Sequence, residues 1–301
     1  MPLPRVVVFG EALTDIVQTT PGHWRGYPGG APWNVARTLS QLGVSSAFGG
    51  AISQDSLGEE IAEQSEAAGL DMRFIQRVNA DPLVAIVPSS APPRYFFAGD
   101  ADLGFDLGRL PEGWLNEVEL CHFSCISLAR EPLASLLVDT AKQAKAAGKA
   151  ISYDPNWRNL MTDHYREHTF PTLAKLATTL KLSDEDLRHI YPSLDEQQAL
   201  MELRHLAPEA DILFTRGERG LVLYTPQATF EQPAIPVTVA DTVGAGDASM
   251  AGWLASALLG ITDPQHRLRF AAACASVSCS HPGAYSPTRN EVQALVDQAI
   301  D

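Results

Sequence analysis

"DTVGAGDASMAGWLASALLG" spans residues 241–260, with two glycines one residue apart, Asp247 directly after them, and then small and apolar side chains around almost the whole helical wheel. A helix apolar on every face is a buried one. Its first amides have no partner inside the helix, and the dipole places positive charge at that end. Glycines at 244 and 246 predict positive φ at both positions and close approach of another group. The amides of Gly244, Ala245, Gly246 and Asp247 can then converge on a phosphate. Asp247 itself reads in two ways: as an acid favoured in the first turn of a helix, or as a general base held beside an anion hole. Position alone leaves both open.

Upstream, the chain alternates between short apolar runs and amphipathic ones. "RVVVFG" (5–10) and "SSAFGGAIS" (45–53) read as buried strands, "NVARTLSQLG" (34–43) and "SLGEEIAEQSEAAG" (56–69) as helices. The rhythm returns in "LCHFSCIS", "PLASLLVDTAKQAKAAG", "AISYD", a helix near 170–178, "LKLS", "DILFT" and "GLVLYT". This predicts an α/β fold with a mostly parallel sheet flanked by helices, and ligands at the carboxyl ends of its strands. Three helical runs follow, near 246–259, 265–280 and 288–299. Two stretches, roughly 13–31 and 83–104, are rich in proline, glycine, β-branched and aromatic residues and lack a helical period. They predict hairpins forming a small β-lid on a single domain covering 1–301.

The 301 residues carry a formal charge of −14 at 45% hydrophobic content, which argues for small-molecule partners and against a nucleic-acid or anionic-membrane surface. No run reaches the ~20 apolar residues of a membrane span, and "MPLPRVVVFGEAL" lacks the features of a signal peptide, so a cytoplasmic protein is expected. Cys121, Cys125, Cys274 and Cys279 have no zinc-site spacing and read as free thiols.

A second glycine-rich stretch, "YPGGAPWNVA" (27–36), reads either as a turn into a helix or as a sugar site. In the latter case Gly29 and Gly30 let a hydroxylated ligand touch backbone, and Asn34 offers a donor and an acceptor. Asp15, just past the first strand, supplies another acceptor. Neither a Walker motif nor a first-unit Gly-x-Gly-x-x-Gly is present: Gly148-Lys149 is followed by alanine, and the 244 region ends in serine.

"GGAPWNVA" and "DTVGAGDAS" together resemble the two signature regions of the PfkB, or ribokinase-like, carbohydrate kinases, and "VFGEALTDI" is similar to their fructokinase-like branch. The resemblance runs over essentially the whole chain. It implies a ribokinase-like fold, ATP as donor and Mg²⁺ as cofactor. It makes Asp247 the catalytic base and the Gly244, Ala245 and Gly246 amides the anion hole. Asp15, Gly30 and Asn34 fall in the sugar site, and Arg158 of "DPNWR" near the phosphoryl path. Thr215, Gly217 and Gly220 of "FTRGERG" lie along the nucleotide. Asp241, Val243 and Gly283 fall where many relatives bind a monovalent cation such as K⁺. A homodimer paired through lid edges is a further expectation.

The chain departs from the family where many relatives have Asn-x-x-Glu near the metal: it has Ser183-Asp184-Glu185-Asp186, so Ser183 and Asp186 inherit the Mg²⁺ region. Relatives acting on 2-keto-3-deoxygluconate tend to present a lid arginine to the carboxylate. In "RYFFAGDADL" that position is Phe97, Arg94 is expected on the other face of its strand, and Asp100 and Asp102 read either as acids near the mouth or as solvated turn residues. The expected substrate is therefore a neutral monosaccharide, fructose first. The rivals are 2-keto-3-deoxygluconate, ribose, and a nucleoside held by Trp24, Tyr27 or Phe96; a catalytically silent nucleotide-binding regulator is the remaining alternative.

Overall fold

A computed structural model of the chain describes residues 2–88 and 95–298, so Arg94 lies outside the described residues. Nine strands form the larger sheet: β1 (Val6–Phe9), β4 (Ser46–Ser53), β5 (Ile75–Val78), β8 (Leu120–Ser124), β9 (Ala150–Asp154), β10 (Thr179–Ser183), β11 (Asp211–Thr215), β12 (Leu221–Tyr224) and β13 (Thr229–Gln232). Their order is β13-β12-β11-β10-β9-β8-β1-β4-β5, parallel from β11 through to β5 and antiparallel at β12 and β13. Because β1 pairs with both β4 and β8, the chain changes direction along the sheet there. A crevice opens at such a switch point, beyond the strand ends.

Among the described residues the α-helices are α1 (Ala31–Gln41), α2 (Ser56–Ala67), α3 (Trp114–Glu117), α4 (Leu133–Ala146), α5 (Phe170–Leu176), α6 (Asp184–Ile190), α7 (Glu196–Leu206), α8 (Ala245–Leu258), α9 (Pro264–Cys279) and α10 (Arg289–Gln298). Strand β1 shows why the sheet needs cover on both faces. Val7 and Phe9 join the core that includes Leu133, Leu137 and Leu173 of α4 and α5, and Val6 and Val8 join the core that includes Trp33, Met250 and Trp253 of α1 and α8. All four β1 side chains are fully buried, each contributing on the order of 1.5–3 kcal/mol. The fully buried Trp33 ring donates from Nε1 to Ser65 at 2.8 Å, which ties α1 to α2.

The smaller sheet is built from β2 (Leu13–Thr20), β3 (His23–Gly29), β6 (Val84–Val87) and β7 (Phe96–Ala98). β2 with β3, and β6 with β7, are antiparallel pairs; a parallel pairing of β2 with β6 joins them. Residues 99–104 leave the sheet and form a short helical turn, Ala101–Gly104. Among the described residues no helix is long and apolar enough to cross a membrane.

Candidate active site

The crevice beside the switch point is lined by both apolar and polar side chains, the make-up of a small-molecule site. Its walls come from the ends of β1 and β8, the start of α1, the smaller sheet and the start of α8: Glu11, Asp15, Gly30, Asn34, Tyr95, Phe97, Cys125, Arg158, Val243, Gly244 and Asp247 are among them. The two glycine-rich stretches, more than two hundred residues apart, thus meet on one cleft.

Gly244 caps α8 in the left-handed region at φ 78°, where a side chain would also strike Ala284 at 2.8 Å. No side chain of the described residues caps the helix, and the Ala245 amide makes only a long 3.3 Å turn bond to the Thr242 carbonyl. Gly246 corrects the expectation of positive φ: it lies inside α8, outside the set of positive-φ glycines. A Cβ there would stand 3.3 Å from the Lys181 ammonium, beneath the turn.

Asp247 is buried, and Asn34 donates from Nδ2 to its Oδ2 at 2.9 Å. Burial pushes its carboxyl up, while the Asn34 bond and the charges of Lys181 and Arg158 pull the other way and Glu11 adds to the rise. Asn34 is held in turn by Arg37, whose Nη2 donates to Oδ1 at 3.1 Å and whose guanidinium lies 3.8 Å over the Trp33 ring. Pro32 starts α1 three residues earlier than the apolar period suggests, which places Asn34 in the first turn with its amide bonded to the Gly30 carbonyl.

Asp15, on β2, is pushed up to about 6 by burial; Arg158 opposes this, and Asp247 and Glu11 reinforce it. Gly29 makes room for this carboxylate, because a Cβ there would meet Asp15 Oδ2 at 2.5 Å. Gly30, at φ 110°, passes so close to the Glu11 carbonyl that a Cβ would sit 2.7 Å from it. Arg158 is fixed through Nη1 by the carbonyls of Asn156 and Trp157 and by Asn156 Oδ1, and lies 5.3 Å over the Tyr95 ring. Phe97 lines the cleft, stacked on Tyr95 at 6.0 Å. Trp24, Tyr27 and Phe96 are exposed and do not belong to its walls.

Neither Asp100 nor Asp102 is among the residues that line the cleft. Asp102 is buried and takes two bonds from Arg130, at 2.8 and 3.1 Å, and Asp100 is exposed. The negative charge in the cleft comes instead from Glu11, Asp15 and Asp247. Glu11 escapes a motif-based reading, although an acid directly after a buried strand is a signal. Its Oε2 accepts from the Ser127 amide at 3.1 Å and hydroxyl at 2.6 Å. Burial raises its carboxyl.

Ser183 and Asp186 form the capping box of α6. Asp186 Oδ2 accepts from the Ser183 amide and hydroxyl, and Oδ1 from the Trp157 amide at 2.6 Å. Among the described residues no three His, Cys, Asp or Glu side chains converge on a metal position. Such a donor set fits Mg²⁺ only in the way that ion usually binds nucleotides, through phosphates and retained waters. Asp241 takes the Val243 amide at 3.1 Å on Oδ1 and the Gly283 amide at 3.0 Å on Oδ2, so these three residues meet. Gly217 and Gly220, at φ 56° and 87°, form the β11–β12 turn after Thr215.

The sequence model of the pfkB family carbohydrate kinases matches residues 3–291. The chain belongs to this family. Probable fructokinase-6, chloroplastic, of Arabidopsis thaliana is 30% identical over 99% of this chain and 83% of its own length. Probable fructokinase-7 of the same plant is 31% identical over 97% and 92%. Among solved structures, fructokinase with bound ATP from Xylella fastidiosa superposes with a TM-score of 0.88 at 26% identity, covering 99% of this chain and all of that one. This pfkB kinase therefore has the ribokinase-like α/β fold, its larger sheet accompanied by the small one.

Proposed function

We propose that this kinase transfers the γ-phosphoryl group of ATP to a hydroxyl of a neutral monosaccharide, fructose first. The observation that carries the reading is Asp247: a buried carboxylate held by Asn34 in a cleft that also contains Asp15, at the start of a helix no side chain caps. Asp247 accepts the hydroxyl proton as the sugar oxygen bonds to phosphorus and the bond to the β-phosphate oxygen breaks, releasing ADP. Amides of the Gly244–Ala245–Gly246 turn take the charge on the phosphoryl oxygens, and Arg158 shares it. Asp15, Gly29, Gly30 and Asn34 receive the sugar, and Phe97 walls it.

Thr215, Gly217 and Gly220 line the nucleotide. Ser183 and Asp186 would hold the Mg²⁺ that accompanies ATP, and the ion would supply neutralisation of phosphate charge; Asp241, Val243 and Gly283 would frame a monovalent-cation position, K⁺ being the candidate. The whole chain acts as one unit with the smaller sheet as lid over the sugar. Edge strand β3 carries exposed Trp24 and Tyr27, which supports pairing of two lids in a homodimer. Four free thiols, three of them buried, fit a reducing compartment such as the cytoplasm.

The test is a panel of fructose, other neutral hexoses, ribose, adenosine and 2-keto-3-deoxygluconate with ATP, scored by ADP release. Fructose should give the highest kcat/KM. ADP release with none of these acceptors would leave the silent regulator.

A further inference from the structure

Lys181 lies in the middle of "LKLS", between two fully buried leucines of β10, and is itself 3% exposed. A lysine almost never goes inside without a partner. Its partner is Asp154, one strand away, whose Oδ2 accepts from Nζ at 2.7 Å. Among the described residues that is the only hydrogen bond of the ammonium, leaving two of its N–H groups to be used.

The ammonium faces the first turn of α8, 3.3 Å from the point where Gly246 would carry a Cβ. That is the positive end of a helix dipole, where a cation is disfavoured and an anion is held. The charges of Asp154, Asp186 and Asp247 all act on the ammonium. The placement makes sense when a further anion joins the site, and with glycine at 246 no side chain of that residue stands between the ammonium and the turn.

We propose that Lys181 is a further catalytic residue, donating from beneath the Gly244–Gly246 turn to the transferring phosphoryl group, with Asp154 as the positioning residue that orients it. The chain has no phosphate-binding-loop lysine, and the sheet supplies that charge instead. This rests on the reading that the turn receives the phosphoryl group.

The competing role is structural, with Lys181 serving only to neutralise Asp154. Breaking a buried pair by removing one partner destabilises, whereas replacing both partners with uncharged residues is often neutral. Lys181→Met and the double variant Asp154→Asn/Lys181→Met separate the two. The double variant should regain most of the Tm lost in the single one, yet keep kcat at least about 100-fold below wild type, with KM for the acceptor sugar within about threefold. Recovery of kcat together with Tm would overturn the proposal. Calorimetry with the magnesium complexes of AMP-PNP and ADP gives a readout independent of the sugar. Loss of Lys181 should weaken AMP-PNP about tenfold or more and ADP less than threefold, and equal losses would overturn it. If wild type phosphorylated no sugar, the acceptor assignment would fall, and this comparison would still decide the role of Lys181.

Discussion

Asn34 donates to Oδ2 of Asp247 over 2.9 Å and is itself fixed by Arg37 at 3.1 Å, so an arginine that is not itself a lining residue of the cleft orients the proposed base through Asn34. Asp247→Asn should keep the fold and ATP affinity and lower kcat by at least about 10²-fold, the scale of a lost general base. Kinetics on the purified variant, with Tm as the control, check this. Near-normal turnover would remove Asp247 from the chemistry.

The pH profile follows from the same contact. Burial raises the Asp247 carboxyl and the Asn34 bond lowers it. The base must be ionised, so kcat falls as pH drops through that raised value. Removing the bond in Asn34→Ala stabilises the protonated form, and the acid limb of kcat at saturating sugar should move to higher pH. A limb that stayed in place, or moved down, would show that the bond does not set the ionisation of the base.

Asp15 couples function to stability. Its carboxyl is pushed up to about 6, chiefly by burial. A folded-state value above the unfolded one means that the ionised form costs stability at pH above 6, and that this cost fades as pH falls toward the unfolded-state value near ~4. Asp15→Asn should therefore raise Tm at pH 7.5 and give no gain at pH 4, while raising KM for the sugar more than it lowers kcat. Thermal melts at the two pH values and one set of steady-state kinetics check both halves.

Gly246 shows where sequence legibility ended. Of the two reasons the motif gave for Gly246, positive φ does not hold, because the residue sits in ordinary helical backbone, whereas a Cβ there would come within 3.3 Å of the Lys181 ammonium. That partner comes from a strand more than sixty residues earlier, so no local pattern reveals it. Gly246→Val should cost at least about tenfold in kcat by crowding the ammonium beneath the turn, with sugar affinity retained. Lost sugar affinity with normal kcat at saturation would contradict it. Elsewhere, β1, β4 and α8 were legible because their periods are long or wholly apolar. The four-residue strands β5 and β13 carry too few positions for a period. Asp102 looked like a mouth residue because sequence cannot show that Arg130 already holds it.

Selection against acidic sugars is the last consequence. The mouth aspartates expected to repel a carboxylate are absent from the cleft, yet the cleft is still acidic, with Glu11, Asp15 and Asp247 facing Arg158 as the one cation among its lining residues. Arg158 is engaged through Nη1 by backbone carbonyls and Asn156, its charge is the one proposed to meet the phosphoryl group, and the wall at position 97 is an apolar phenylalanine. A sugar carboxylate would shed its water shell without gaining a free counter-charge, whereas neutral hydroxyls can donate to the acids already present. Fructose should exceed 2-keto-3-deoxygluconate by at least about tenfold in kcat/KM, ~1.4 kcal/mol of transition-state binding. Phe97→Arg should narrow that gap by improving the acid and weakening fructose. A wild-type preference for the acid would overturn this account of the cleft, and a preference for another neutral sugar would change only the identity of the acceptor.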